Sequence, residues 1–207
     1  ERGVVSDWGL DPAGDLSLEA VVETARPGVM IGLSGHPGAL PETVVRMMAS
    51  EHERPIVFAL SNPSANVDAH PHDVVRWSEG RAIVAVGSPF EPLEYGNRTH
   101  RFSQVNNFYA FPGIGAGTWL ARAERISDGM LLAAAQAIDD ALTDEDLAAD
   151  LVLPGSPRLR NVALAVAAAV MRAAAEEGLA TREVPSDARS LVADWQYEAR
   201  YRRYVAI

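Results

Sequence analysis

The sequence contains no cysteine, and this absence removes several kinds of chemistry. Without thiols the chain cannot form disulfide bonds, bind zinc through thiolates or use a cysteine nucleophile. Lysine is also absent, so all 18 basic residues are arginines. Because arginine stays protonated in proteins, it is a poor general base. These residues alone therefore cannot complete a lysine-dependent catalytic step.

The chain also lacks a long hydrophobic run and a positive net charge. Its longest apolar run, 162–171, is bracketed by Arg160 and Arg172 and is much shorter than the roughly 18 residues that span a bilayer. The formal net charge of -10 argues against a nucleic-acid partner, because phosphate binding requires clustered basic charge. We expect a cytoplasmic protein with a small-molecule ligand and no membrane or nucleic-acid partner.

The first residues show neither a signal-peptide pattern nor a starting methionine. We therefore expect the sequence to begin within a longer protein. With 207 residues, of which 48% are hydrophobic, the chain is long enough for one large α/β domain with an appendage.

Three short apolar runs at 29–33, 56–60 and 82–86 are the main signals of fold class. They are nearly continuous, as is typical of parallel strands that are covered on both faces. Helical segments at 41–52 and 71–78 separate them, each with a proline at its start. This pattern predicts a β-α-β-α-β arrangement with a parallel sheet and flanking helices.

Small polar residues follow each predicted strand. They are Ser34-Gly35, Ser61-Asn62-Pro63 and Gly87-Ser88-Pro89. Ligands of open parallel sheets bind beyond the carboxyl ends of the strands, so the three turns are expected to share one crevice. Each turn taken alone is better explained as an ordinary turn, and only their common register favours a site.

The second half of the chain is predicted to be mainly helical. Residues 94–99 indicate a hairpin tip, Ser127 an N-cap, and Thr143 with Asp146 a capping box. Gly113-Ile114-Gly115-Ala116-Gly117 departs from the spacing of a dinucleotide loop, so we interpret it as a closely packed helix start. His70 and His72 lack the spacing of a zinc pair, and no metal site is expected.

Aromatic residues and arginines alternate near the carboxyl terminus. They are Trp195, Tyr197, Tyr201 and Tyr204, with Arg200, Arg202 and Arg203. Nucleic-acid contact is one interpretation. We favour a helical tail, 181–207, that packs on a missing domain or a neighbouring subunit.

Two long motifs identify a family resemblance. The strings RPIVFALSNPSANVDAHPHDVVRWSEGRAIVAVGSPFEPLEY and NNFYAFPGIGAG resemble the malic enzymes, which oxidatively decarboxylate malate to pyruvate and CO2 with NAD or NADP. The resemblance extends upstream through IGLSGHPGALPETVVRMMA and downstream through ISDGMLLAAAQAIDDALTDEDLAADLVLPGSPRLRNVALAVAAAV. It implies that 1–180 is the later part of a partial Rossmann-like NAD(P)-binding domain.

The resemblance also implies which parts lie upstream. Residues 1–5 look like the continuation of the acidic end of the second Rossmann strand. The G-x-G-x-x-G loop, the catalytic tyrosine and lysine, and the carboxylates that hold Mg²⁺ or Mn²⁺ would all precede them. No catalytic residue and no metal ligand is therefore expected in this chain.

The site residues that the resemblance implies are mainly amides. It assigns malate binding to Asn62, Asn106 and Asn107. It assigns cofactor binding to Ser34, Gly35, Ser61, Asn62 and Asn106. An amide suits both tasks, because its NH2 group donates to carboxylates and hydroxyls while its oxygen accepts, and it does not titrate near neutral pH.

Two positions depart from the family pattern. Val105 replaces the usual glycine before the paired asparagines, and His36 stands where glutamine or alanine is common. Valine does not readily adopt a positive φ, so the loop is expected to differ if that glycine needs one. Tyr109 does not match the catalytic tyrosine and receives no role.

Two other functions stay open at this point. One is a non-catalytic α/β nucleotide-binding or interaction module derived from a truncated malic enzyme. The other is a 2-hydroxyacid dehydrogenase that does not decarboxylate. The choice between NAD and NADP is also open, and a homo-oligomer is expected.

Overall fold

The computed structural model describes residues 8–11, 14 and 16–197. The chain divides into two compact units: the first ends at Asn106 and also includes Leu142–Pro154, and the second comprises Asn107–Ala141 and the residues from Gly155 onward. The expected strand continuation at 1–5 lies outside the described residues, as do the tail positions Arg200, Tyr201, Arg202, Arg203 and Tyr204.

Among the described residues, the first unit contains six strands and four α-helices. In chain order they are α1 (Leu18–Ala25), β1 (Val29–Gly32), α2 (Glu42–Glu51), β2 (Ile56–Ala59), α3 (Pro71–Trp77), β3 (Ile83–Val86), β4 (Leu93–Tyr95), β5 (Arg98–His100), β6 (Ser103–Gln104) and, after the segment of the second unit, α6 (Asp144–Ala148). The second unit contributes α4 (Phe111–Ala121), α5 (Asp128–Asp139), α7 (Leu159–Glu176) and α8 (Ala188–Trp195).

The predicted parallel sheet is confirmed. Strands β1, β2 and β3 pair in parallel and in chain order, with Val29, Ile56 and Ile83 at one level. A fourth strand, β6, pairs in parallel with β3 at the other edge. Strand β6 is only two residues long, which is too short to show the alternation of apolar and polar residues that marks a strand in the sequence.

Apolar side chains from the sheet and the helices form the core of the first unit. Val57 and Val84 from the sheet pack with residues of α2 and α3, among them Val45, Met48 and Val74. Each such burial is worth roughly 1.5–3 kcal/mol relative to exposure in water. Pro71 is the first residue of α3, where the missing N–H costs nothing, and the preceding His70 accepts a hydrogen bond from the His72 N–H.

Strand β1 corrects one expectation. Val29 and Ile31 are 50% and 54% exposed, so the prediction that all three strands are covered on both faces is wrong for β1. In the described part of the chain β1 is an edge strand that pairs only with β2. Its apolar residues alternate, and Met30 packs against the core while its neighbours face outward.

The predicted hairpin and capping box are both present in this unit. Strands β4 and β5 pair antiparallel around Gly96 and Asn97, and Gly96 takes a positive φ of 64°. Thr143 and Asp146 form the reciprocal capping box at the start of α6. Both features rest on local residue chemistry, which makes them visible in the sequence.

The second unit is helical, and α4 packs closely against α7. A Cβ atom at Gly113 would lie 2.6 Å from the Cβ of Val166, and one at Gly117 would lie 2.5 Å from the Ala167 carbonyl oxygen. The interpretation of these glycines as a packed helix start is therefore confirmed. Ser127 caps α5 as predicted, since its side chain accepts from the Met130 N–H.

Helix α8 contains the first part of the predicted tail. Ala188 and Val192 are buried, and the helix packs on α7 of the same chain. Trp195 and Tyr197 remain exposed, so their contact with another domain or subunit stays a prediction. Among the described residues, no helix combines the length and apolar character needed to cross a bilayer.

Candidate functional site

A single carboxylate connects the turns that follow β1 and β2. The Ser34 N–H and Oγ–H both donate to Oδ1 of Asp68, at 3.1 and 2.7 Å. The Ser61 N–H donates to Oδ2 of Asp68 at 3.1 Å, and the Gly35 N–H donates to the Ser61 Oγ at 2.9 Å. Ser34, Gly35 and Ser61 are thus held together around Asp68.

Asp68 is fully buried, and the chain is shaped to admit it. A Cβ atom at Gly32 would lie 2.6 Å from the Asp68 Cγ, so the end of β1 requires glycine. Burial alone raises the pKa of Asp68, but the hydrogen bonds from Ser34 and Ser61 outweigh it and place the pKa below its ordinary value. The carboxylate is therefore ionised at neutral pH.

Asp68 is absent from the residues that the sequence identified. One signal was available, because Asp68 stands between the apolar residues Val67 and Ala69, shortly before α3. A single acid in such a setting is either a surface residue of a turn or a buried acceptor. Only the three-dimensional contacts with Ser34 and Ser61 distinguish the two.

Asn62 lies in the turn after β2 and is oriented by the turn after β3. Its Oδ1 accepts a 2.6 Å hydrogen bond from the Ser88 Oγ–H. Its side chain is exposed, and its Nδ2 donates no hydrogen bond to the described residues. A Cβ at Gly87 would lie only 2.1 Å from the Leu60 carbonyl oxygen, so glycine permits this close approach of the two turns.

The fourth turn follows β6. The Val105 N–H donates to the Val86 carbonyl oxygen at 2.8 Å and extends the pairing with β3 by one residue. Val105 does not have a positive φ, so valine fits this loop without backbone strain. Asn106, which is half-buried, comes directly after it. The four turns that follow β1, β2, β3 and β6 thus all lie at the carboxyl-terminal edge of the parallel sheet.

Asn107 begins the second unit. It is exposed and opens a short 3-10 helix, Asn107–Tyr109, where its carbonyl oxygen accepts from the Ala110 N–H. Tyr109, in the same helix, is buried. Burial raises the pKa of Tyr109, and the positive charge of Arg158 opposes this change only in part. The phenol is therefore protonated at neutral pH.

Metal ligands are not grouped in the described part of the chain. No cluster of three or more histidine, aspartate or glutamate side chains there has the arrangement to hold a metal ion. His70 and His72 contact each other edge to face with ring centroids 4.9 Å apart, and the His72 Nε2 lies 2.9 Å from the Glu91 carbonyl oxygen.

Comparison with known proteins identifies the family. The family model described as the malic enzyme NAD-binding domain matches residues 3–175. This chain belongs to the malic enzyme family. The four-stranded parallel sheet of the first unit is therefore part of a malic enzyme NAD-binding domain.

Curated relatives and solved structures agree with this assignment. An NAD-dependent malic enzyme of Acinetobacter baylyi is 45% identical over 86% of this chain and 31% of its own length. One from Pseudomonas aeruginosa is 40% identical over 99% of this chain and 36% of its own length. The chain thus spans about a third of the length of the curated malic enzymes that it matches.

Two solved malic enzymes share the fold. The enzyme of Pyrococcus horikoshii matches 83% of this chain and 36% of its own, with a TM-score of 0.66 and 27% identity. That of Entamoeba histolytica matches 90% of this chain and 34% of its own, with a TM-score of 0.69 and 27% identity. A Rossmann-like α/β fold is therefore established for this malic enzyme domain.

Proposed function

We propose that this chain supplies the later part of the NAD-binding domain of an enzyme that converts malate and NAD⁺ to pyruvate, CO2 and NADH. The observation that carries the proposal is the meeting of four polar turns at one edge of the parallel sheet, two of them joined through Asp68. Ligands of such sheets bind at this edge. The relatives named above are NAD-dependent, which favours NAD over NADP.

The turn after β1 fits a cofactor that approaches the backbone. Gly35 and Gly38 have φ values of 70° and 72°, and nothing lies within 4 Å of the position of a Cβ at either residue. The hydroxyls of Ser34 and Ser61 are already used within the protein. We assign these two serines to the positioning of the turn, and Gly35 to direct contact with the cofactor.

Three amides are proposed to orient the ligands. Asn62 presents an unused NH2 group beside Ser88, and this donor suits a carboxylate or hydroxyl of malate. Asn106 is assigned to both malate and the cofactor, and Asn107 to malate. When bound, NAD accepts the hydride from malate. This chain's residues hold the two reactants in place, which lowers the entropic cost of reaching the transition state.

The acid-base pair and the ligands of Mg²⁺ or Mn²⁺ are proposed to lie in the rest of the enzyme. We likewise propose the division into 1–180, the cofactor-binding part, and 181–207, a helical tail. Trp195 and Tyr197 are 53% and 78% exposed, which suits contact with another domain or subunit of a homo-oligomer. A cytoplasmic location is part of the same proposal.

Substitution of the amides in the complete enzyme tests the site. We expect Asn62→Ala and Asn107→Ala to raise the malate KM and to lower kcat, because binding and orientation are lost together. Loss of one buried hydrogen bond worth about 1–3 kcal/mol corresponds to roughly 5- to 150-fold in kcat/KM. Steady-state kinetics with malate as the varied substrate measures both constants.

Asn97→Ala is the matched control. Asn97 is an exposed asparagine in the β4–β5 turn, and its replacement is expected to change kcat/KM by less than about twofold. If both Asn62→Ala and Asn107→Ala match the unsubstituted enzyme, the site assignment is refuted. Formation of oxaloacetate in place of pyruvate would refute the reaction.

A further inference from the structure

The second unit contains a cavity of about 380 Å³ that the proposed reaction does not use. One face of α7 forms its floor, because Val162, Ala165 and Ala168 recur at helical spacing. Their small side chains leave a hollow that Ala137 of α5 borders on the other side. The floor is therefore apolar and narrow.

Two arginines from different helices line this cavity, Arg172 of α7 and Arg189 of α8. The two helices meet where the Gln196 Nε2 donates to the Arg160 carbonyl oxygen at 3.2 Å and the Arg160 Nη2 donates to the Tyr197 carbonyl oxygen at 2.9 Å. Along α7, Arg172 lies about 16 Å beyond Asn161, so these two lining residues mark opposite ends of the cavity.

The charge of these two arginines is not neutralised within the described part of the chain. None of the ion pairs found there involves Arg172 or Arg189. Asp187, close to Arg189 in sequence, instead accepts from the Ser190 N–H and caps α8. Both arginines are exposed, and neither has an ion-pair partner among the described residues, in a chain whose net charge is -10.

The opposite end of the cavity is polar and of mixed charge. Arg158 there donates to the Ala141 carbonyl oxygen at 2.9 Å. Asp140 accepts from the Gln136 Nε2 at 3.0 Å, and Asn161 completes the lining. This end suits a hydroxyl or amide group, because the Asp140 carboxylate repels an anion.

We propose that the cavity is a binding site for a small organic anion. Its phosphate or carboxylate group pairs with Arg172 and Arg189, and its apolar body lies over Ala165 and Ala168. Guanidinium groups bind both kinds of anion through paired, charge-assisted hydrogen bonds. The site is built only from residues of the second unit and includes none of the amides assigned to malate or the cofactor.

Calorimetric titration of the whole chain tests the proposal. The probes are phenyl phosphate and benzoate, with phenol and inorganic phosphate as the apolar and anionic halves alone. We expect phenyl phosphate or benzoate to bind about tenfold more tightly than either phenol or inorganic phosphate, and the tighter of the two identifies the preferred head group. Arg172→Gln and Arg189→Gln are each expected to weaken that binding by about tenfold.

Two further variants separate a built site from general electrostatic attraction. Arg125→Gln removes the same charge from an exposed position of the second unit outside the cavity and is expected to leave binding unchanged. Ala165→Leu keeps both arginines but fills the hollow, so it is expected to weaken phenyl phosphate binding. Equal weakening by Arg125→Gln overturns the proposal, as does binding that is indifferent to Arg172, Arg189 and Ala165. Circular dichroism checks that each variant is folded.

Discussion

Replacing Asp68 by asparagine removes the charge around which the turns after β1 and β2 are organised. The Asp68 carboxylate accepts three hydrogen bonds of 2.7–3.1 Å from Ser34 and Ser61. Asparagine keeps one acceptor oxygen and places an NH2 group where the second oxygen was. At least one N–H of Ser34 or Ser61 then faces another donor. Asp68 is fully buried and Ser61 is only 6% exposed, so water has little access to replace the acceptor opposite the Ser61 N–H.

The expected cost follows from these contacts. A hydrogen bond to a charged group contributes about 1.5–3 kcal/mol, and a buried donor without an acceptor loses a similar amount. We therefore expect Asp68→Asn to lower the free energy of unfolding by about 2–4 kcal/mol. This is a large part of the roughly 5–15 kcal/mol by which most domains are stable.

The pH dependence has a definite sign. Burial raises the pKa of Asp68, but the hydrogen bonds from Ser34 and Ser61 lower it by a larger amount. The folded-state pKa therefore lies below that of the unfolded chain. The stabilisation is present above the unfolded pKa, about 3.9 for aspartate, and is lost as the pH falls through the folded value. The stability difference between the parent and Asp68→Asn should stay constant from about pH 5 to 8 and narrow below about pH 4.

Urea unfolding followed by circular dichroism at several pH values measures this difference. Asp73→Asn is the control, since Asp73 forms a 3.0 Å surface ion pair with Arg76 in which both side chains are about half exposed. We expect it to change stability by less than about 0.5 kcal/mol. A loss in Asp68→Asn no larger than in the control would refute the reasoning, as would a difference that widens on acidification.

Two further predictions concern α4 and the catalytic capacity of the chain. Gly117→Ala should lower the unfolding free energy by about 1–3 kcal/mol, because its methyl group would lie 2.5 Å from the Ala167 carbonyl oxygen, whereas Gly115→Ala, which meets nothing within 4 Å, should raise it by about 0.5–1 kcal/mol. Thermal unfolding of both variants checks this, and equal shifts would contradict the packing argument. The 207-residue chain alone should form no NADH from malate, even with Mn²⁺, and a spectrophotometric rate above that of the malate-free blank would contradict the proposed location of the catalytic groups.

Much of the fold could be predicted because it depends on signals within a short stretch of sequence. Strands β2 and β3 are continuous apolar runs that each follow a helix, and the sequence indicates both to within one residue. Ser127 and the Thr143–Asp146 pair act on backbone N–H groups three residues away, so their patterns are local as well. The close packing of α4 was likewise predictable, because glycines recur at every second position in 113–117.

The parts that could not be predicted depend on distant residues. Strand β6 exists because Ser103 and Gln104 pair with β3, and Ser103 is further held by hydrogen bonds from the Val152 and Leu153 N–H groups almost fifty residues later. The exposure of Val29 and Ile31 depends on what lies beside β1, which an apolar run does not specify. Neither outcome has a local cause that a sequence pattern could record.

In the candidate site, the position of a residue was predictable from the sequence, but its hydrogen-bonding role was not. The position of Ser34 and Ser61 was predictable, because polar turns beyond parallel strands meet at one edge. The use of their hydroxyls was not, because it depends on Asp68, which lies 34 residues from Ser34 and 7 from Ser61. The Ser34 hydroxyl donates to Asp68, and the Ser61 hydroxyl accepts from the Gly35 N–H. Both hydroxyls therefore have less capacity to bind a ligand, and they hold the turns in place. In the proposed site, the open faces of Gly35 and Gly38 and the amide of Asn62 are then available to a cofactor, so we expect cofactor affinity to depend on Asp68 although Asp68 itself is buried.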